Sequence, residues 1–404
     1  MKVLLTTDVG FPVSRLLKHA GIHRVVYVLA KELQGLGVDV TVACAGDSDE
    51  LGGARYVTVE RALHGRRLVE STPVDPPSMR QELRQETMLA NPLYTVEDER
   101  HFRLTLEHVL SEGFDLVHDH GGGLLLSDAY RHYEGVLSLP ILTTLHGALY
   151  ADAHLEECAV YRQRTASNTF FSCVSRHQGQ LWEQQLDINA VVYNGIFVDD
   201  YRLEREKKGY VFNIGRIMSR KGQDIAVEVA QRAGLKLVLA GPIVEPEYFD
   251  QFRSSVGLMP HIGRIPVTPS YLEEVVESVL ARPEPAIYIG QLDDRQKGEW
   301  FGHADCFLMP IRWDEPFGLV LIEAMACGTP VVAFNRGAIA EILVDKKTGF
   351  LVDSLDEMVA AVSKVGQIDP LDCRRHVEQH FGSRVMALKY LELYQRLLNS
   401  TRSV

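Results

Sequence analysis

The sequence is poor in the features that would commit it to a specialised class. Six cysteines occur in 404 residues. They are Cys44, Cys158, Cys173, Cys306, Cys327 and Cys373, with no C-x-x-C pair among them. Neither a disulfide framework nor a zinc site is encoded, and the thiols read as buried apolar groups of a reducing compartment. No stretch approaches the roughly 18 uninterrupted apolar residues of a spanning helix. Positive charge is scarce: 42 Lys plus Arg stand against 54 Asp plus Glu, a formal net charge of −12. Such a chain suits neither nucleic acid nor an anionic membrane surface. Repeats and low-complexity tracts are missing. Met1 to Asp8 runs straight into an apolar strand without the long h-region of a secretory leader, which makes the cytoplasm the expected location.

Several catalytic fingerprints are missing too. No G-x-G-x-x-G follows the first strand, and there is no G-x-S-x-G elbow or G-x-x-x-x-G-K-[ST] loop. The lone D-x-D, Asp47-Ser48-Asp49, lies in an acidic loop, giving little support to metal-assisted diphosphate chemistry. His118-Asp119-His120 sets two imidazoles on one side of a strand, but no third ligand is identifiable, so no metal is expected.

What is present is an α/β rhythm given twice. Lys2 to Thr7 is a short apolar run, Gly21 to Leu36 carries Val25, Val26, Leu29, Leu33 and Leu36 on one helical face, and Asp39 to Cys44 is a second strand. Further strands are expected at 114–118, 141–145, 170–174 and 190–193. Arg202 to Gly209 is charged without an apolar face and reads as a linker. The rhythm restarts with strand 210–214, helix 222–233, strands 235–240 and 286–289, helix 295–304 and strand 306–309. The Pro-rich piece Val244 to Pro285 reads as an irregular insertion with one helix at 271–280. A last amphipathic helix, 385–398, places Leu388, Leu391, Tyr394 and Leu398 on one stripe. Two doubly wound parallel-sheet domains are the simplest account.

Four stretches carry chemistry. In Asp314-Glu315-Pro316-Phe317-Gly318-Leu319, a loop opens a short helix whose free amides near Gly318 and Leu319 form an anion site. Glu315 stands at that positive end, where a carboxylate accepts from sugar hydroxyls or faces developing positive charge. Glu323, five residues past Gly318, is about 7 Å further along the axis, within reach of a neutral hydroxylated group. The blander reading is that Glu315 caps the helix and Glu323 is solvated. Second, Gly215-Arg216-Ile217-Met218-Ser219-Arg220-Lys221-Gly222 follows a strand end, where Arg216 and Lys221 suit a diphosphate; in isolation the pattern reads first as a basic surface loop, and only its position lifts it. Third, Leu145-His146-Gly147 ends a strand, with His146 pointing into a crevice or satisfied in the core. Fourth, Gly21-Ile22-His23-Arg24 starts the first helix after a long loop.

Together with Asn194-Gly195-Ile196, and with the E-x7-E from Glu315 to Glu323 set in Pro-Phe-Gly and Glu-Ala-Met-Ala-Cys-Gly-Thr-Pro, these stretches resemble retaining glycosyltransferase family 4 over nearly the whole chain. The resemblance implies a GT-B fold, two Rossmann-like domains facing each other across a cleft. Their bounds would be 1–200, for the acceptor, and 208–383, for the nucleotide sugar, with helix 384–404 crossing back onto the first. It implies transfer of a hexosyl unit from a nucleotide diphosphate sugar, a UDP-sugar by preference, to an unidentified acceptor hydroxyl, with retention and with neither cofactor nor metal. By resemblance Glu315 meets the donor sugar, Glu323 the ribose, Arg216 and Lys221 the diphosphate, and the amides of Phe317, Gly318 and Leu319 the phosphate and sugar. His146 would reach the sugar, Gly21 the diphosphate or acceptor, and the backbone at Gln291 and Leu292 the base. Ala20 replaces the first of the family's two adjacent glycines, and the 244–285 insertion is longer than the usual link. An epimerase or phosphorylase on the same scaffold, or a catalytically silent nucleotide-sugar-binding protein, are the alternatives.

Overall fold

The computed structural model describes residues 1–15, 17, 21–51, 55–59, 61–63, 95–147, 155–164 and 168–401. They fall into two compact units, one running to Ile196 and resuming at Gly382, the other spanning Phe197–Phe381.

The first unit contains β1 (Lys2–Thr6), α1 (Gly21–Gly35), β2 (Asp39–Ala45), β3 (Arg55–Val59), α2 (Val96–Glu112), β4 (Leu116–Asp119), β5 (Ile141–Leu145), β6 (Thr169–Cys173) and β7 (Ile188–Val191). Seven strands form one sheet in the order β3-β2-β1-β4-β5-β6-β7, every neighbouring pair parallel. α1 buries Val25, Val26, Leu29 and Leu33, the face its spacing predicts. β3 and α2 escape the sequence reading. α2 opens on a reciprocal capping box between Thr95 and Asp98, and its Phe102, Leu106 and Val109 pack with Leu4, Val117 and Ile141 in the core.

The second unit repeats the scheme with β8 (Tyr210–Ile214), α3 (Gln223–Ala233), β9 (Lys236–Ala240), β10 (Val256–Leu258), β11 (Ala286–Tyr288), α4 (Asp294–His303), β12 (Cys306–Met309), α5 (Leu319–Ala326), β13 (Val331–Phe334) and β14 (Gly349–Val352). Its sheet runs β10-β11-β9-β8-β12-β13-β14, again all parallel. The central strands of each sheet are buried on both faces, which is why they read as continuous apolar runs.

Three expectations are corrected. The segment 244–285 holds more than one helix: it supplies a short helix at Pro246–Asp250, the edge strand β10 and a 3-10 turn at Pro260–Arg264, and its expected helix is a π turn at Leu272–Val276 continued as Glu277–Leu280. β10 has only three residues, too few for periodicity to show. Arg202 to Gly209 is no free linker, because Glu204 N donates to Cys327 O, Lys208 N to His303 O, and Lys207 Nζ to Gly302 O at 2.7 Å, all inside the second unit. The terminal helix, α6 (Ser383–Thr401), buries Met386, Ala387, Tyr390, Leu393, Tyr394 and Leu397, whereas Leu388 is exposed. The two tyrosines turn that face inward because their hydroxyls find partners in the first unit, as described below. All six cysteines are buried and none forms a disulfide. Burial pushes Cys44 up to about 11 and Cys173, Cys327 and Cys373 up to about 12, so these thiols are inert as nucleophiles.

Candidate functional site

In the second sheet the strand order reverses between β8 and β12. In open α/β sheets ligands bind outside the carboxyl ends of the strands at such a switch point. The loops leaving these two strands are Gly215–Gly222 and Pro310–Gly318, which hold five of the residues singled out from sequence.

The loops are locked to each other. Lys221 ends a 3-10 turn, and Gly222 follows in the left-handed region at φ 72°, where a Cβ would collide with the Pro310 carbonyl oxygen. Arg312 N donates to Arg220 O at 2.8 Å. The Arg312 guanidinium grips both Asp224 oxygens at 2.9 and 2.6 Å and also donates to Ser219 O. Between the loops lies Trp313, with the Lys221 ammonium 4.7 Å and the Arg220 guanidinium 5.1 Å from its ring centre. Lys221 Nζ donates to Glu315 Oε2 at 2.7 Å, with both side chains largely covered. The Glu315 backbone is fixed from behind, because Ala338 N donates to its carbonyl and Gly337, at φ 62°, leaves no room for a Cβ against it.

Glu315 therefore pairs with a cation and does not cap α5. The cap position belongs to Gly318, at φ 87°, which has no side chain to cap the helix with. Phe317 is buried, edge-on to Phe381. Leu319 begins the helix, so a positive helix end and the Lys221 ammonium belong to one loop cluster. Arg216 is exposed on the first loop.

Glu323 is not solvated. Its side chain has no exposure, and its Oε2 accepts from Lys297 Nζ at 3.3 Å. Lys297, itself 7% exposed, is also paired with Asp294 one turn earlier on α4. Sequence reasoning missed Lys297, although the D-x-x-Q capping box of Asp293 and Gln296 just before it marks the start of α4. Leu292 is buried. The 244–285 segment braces its neighbourhood: Gly263 N donates to Ile289 O at 3.0 Å, Met259 N to Tyr288 O, and Gln296 Nε2 to Ile265 O at 2.6 Å.

In the first unit Gly21 opens α1 and is half-buried. His146 follows β5, and its Nε2 lies 3.0 Å from Nδ1 of His120, which follows β4. The paired imidazoles suspected from His118-Asp119-His120 do lie together, 3.9 Å between centres and tilted by 37°. Both His118 nitrogens are taken, however, Nδ1 by the Tyr394 hydroxyl and Nε2 by Thr144 Oγ1, each at 2.6 Å. Asp119 accepts from the amides of Gly121 and Leu124. Among the described residues no three such side chains gather around a common point. The D-x-D is likewise occupied, by the segments after β1 and β3: Asp47 accepts from Ala62 N and Asp49 from Ser14 Oγ and Arg15 N.

Burial lowers the His101 imidazole to about 4 and His146 to about 3, the latter helped by the charge of His23, and drives His118 and His120 well below the ordinary value. Asp119 moves the other way, up to about 7, also through burial. Unfolded histidine titrates near pH 6.5, so below that the unfolded chain binds more protons and stability falls with falling pH. Each histidine contributes a slope of about 1.4 kcal/mol per pH unit until its folded value is reached, with Asp119 opposing as a single group. Urea midpoints are expected to be clearly lower at about pH 5 than at about pH 7. Equal midpoints would contradict the neutral, buried state of these rings.

Residues 199–372 match the family described as Glycosyl transferases group 1, and residues 19–200 that described as Glycosyltransferase Family 4. The chain belongs to the group 1/family 4 glycosyltransferases. It is 28% identical over 218 residues to D-inositol 3-phosphate glycosyltransferase 2 of Catenulispora acidiphila, covering 51% of this chain and 48% of that one. It is 43% identical over 72 residues to the phosphatidyl-myo-inositol mannosyltransferase of Propionibacterium freudenreichii, covering 18% and 19%. The matches thus span from about a fifth to under two thirds of the first such relatives. Solved structures share the fold over nearly the full length. AviGT4, a glycosyltransferase involved in avilamycin A biosynthesis, has a TM-score of 0.62 at 21% identity, covering 99% of this chain and 98% of that one. Anabaena HepE in complex with UDP has 0.66 at 15%, covering 98% and 100%. The fold is therefore GT-B. No described helix is long and apolar enough to cross a membrane.

Proposed function

We propose that this glycosyltransferase moves a hexosyl unit from a nucleotide diphosphate sugar to an acceptor hydroxyl, retaining the anomeric configuration and using no metal. The observation that carries the reading is the Lys221–Glu315 pair beside the Gly318 helix start, at the switch point of the second sheet. A departing diphosphate is stabilised by cations and helix amides, the electrostatic role that a divalent ion fills in other enzymes. Lys221, with Arg216 on the same loop, takes the diphosphate together with the amides of Phe317, Gly318 and Leu319. Glu315 orients the sugar and Glu323 the ribose, while the backbone at Leu292 meets the base. The first unit contributes His146 and the Gly21 helix start to substrate. HepE was crystallised with UDP, which supports a UDP-sugar as donor. The acceptor is a hydroxylated sugar, glycan or small metabolite, and the expected compartment is the cytoplasm.

Donor-dependent melting across UDP-, GDP- and ADP-sugars tests this. A donor at about 100 times its Kd stabilises the fold by about 2.7 kcal/mol, so the true donor stands out as a raised Tm. Release of nucleoside diphosphate should persist in EDTA. Activity abolished by EDTA and restored by a divalent ion would refute the metal-free reading.

A further inference from the structure

The histidines of the first unit determine more than stability. His120 is almost fully buried, and its Nδ1 faces His146 Nε2 at 3.0 Å. Among the described residues its own Nε2 is buried without a hydrogen-bond partner. Above it lies His118, whose two nitrogens are fixed by Tyr394 and Thr144, and Tyr390 stands edge-on at 6.0 Å. Thr144 continues the chain of hydroxyls to Ser172 Oγ at 2.7 Å and to the Tyr390 hydroxyl at 3.2 Å. The His120 ring is thus clamped and cannot turn its free nitrogen toward a partner.

Two neutral imidazoles sharing one hydrogen bond have two arrangements. In one, His120 Nδ1–H donates to His146 Nε2, and the unpartnered His120 Nε2 is a bare lone pair. In the other, His146 Nε2–H donates to His120 Nδ1, and His120 Nε2 carries a buried N–H with nothing to receive it. A buried unmatched donor is the rarer and costlier defect. The first arrangement wins, and it leaves His146 with its own proton on Nδ1. Among the described residues that Nδ1 has no hydrogen-bond partner, so it is available to a ligand.

We propose that His120 is a positioning residue that holds His146 in the Nδ1–H tautomer, so that His146 meets substrate as a hydrogen-bond donor and not as a general base. The donor role toward a sugar rests on the function proposed above; the tautomer does not. Second partners that fix which imidazole nitrogen carries the proton are the general means of orienting such a ring. The assignment also decides what His146 recognises: an oxygen with a lone pair facing it, such as a sugar hydroxyl acting as acceptor.

The full chain labelled with 15N-histidine, observed by long-range proton–nitrogen correlation near neutral pH, tests the proposal without any ligand. The His146 signals are identified by their loss in His146→Asn. In the wild type, His146 is expected to show Nδ1 protonated and Nε2 bare. His120→Asn, whose carboxamide keeps an N–H at the Nδ1 position, should retain that pattern. His120→Ala should shift His146 toward the Nε2–H form that imidazole favours in water. A wild-type His146 protonated on Nε2, or an unchanged pattern in folded His120→Ala, would overturn the proposal. If the alanine variant does not fold, the wild type and His120→Asn still decide it. Should the tautomer be as stated but His146→Asn be fully active, the contact with the sugar falls while the positioning by His120 stands.

Discussion

Lys297→Met should destabilise the second unit by about 3–5 kcal/mol, the ordinary cost of removing one partner of a buried ion pair. Its ammonium sits between Asp294 and the fully buried Glu323. Without it, Glu323 would lose the cation facing its carboxylate in an apolar helix, flanked by the buried Ile322 and Ala324 and near a second negative charge, Asp294. The measurement is a urea midpoint of the full chain, with Glu323→Leu added to the Lys297→Met background. Replacing a buried pair by apolar groups is often neutral, so the double variant should recover most of the loss and yet remain inactive. A single variant costing under about 1 kcal/mol would show that Lys297 does not compensate Glu323. Stability and activity are then separable at one position: the lysine keeps the carboxylate tolerable, and the carboxylate serves the proposed ribose contact.

Glu315→Gln carries the largest expected effect on catalysis. The carboxylate accepts the Lys221 ammonium at 2.7 Å and is held from behind by Gly337 and Ala338. The amide keeps the shape and loses the charge. With the donor selected by the melting panel, kcat should fall by about 10²- to 10³-fold, the range seen when one preorganised electrostatic contact is removed. Lys221→Ala should lose a similar factor for a different reason, since it removes the positive charge proposed to face the diphosphate. Both variants should keep a cooperative melt, because the loops stay tied through Arg312 and Asp224. Glu315→Gln with undiminished kcat would remove Glu315 from the mechanism.

Local patterns revealed much of this architecture, and their failures have physical causes. The restart at Tyr210 announced a second sheet, because parallel strands buried on both faces leave unbroken apolar runs. α2 was missed although Thr95-x-x-Asp98 followed by Phe102, Leu106 and Val109 is a readable helix start and stripe. The face of α6 was misplaced because leucines were weighted over Tyr390, a residue that packs inward only where its hydroxyl has a partner. Glu315 and Lys221 are legible singly, since each sits in a short motif on the loop that leaves a strand. Their pairing, and that of Lys297 with Glu323 across 26 positions, is tertiary, and no local spacing encodes it.

The seam between the loops after β8 and β12 has a bearing on engineering. Gly222 rests on Pro310 and Gly337 on Glu315, with Arg312 tying Ser219 to Asp224. These segments are about 120 positions apart at their extremes, yet they interlock through close backbone approach as well as through the Arg312 side chain. A chimera that swaps one of them for a homologous loop inherits a mismatched joint. Recombination in this unit should therefore succeed only when 215–224, 310–318 and the 337–338 turn travel as one cassette.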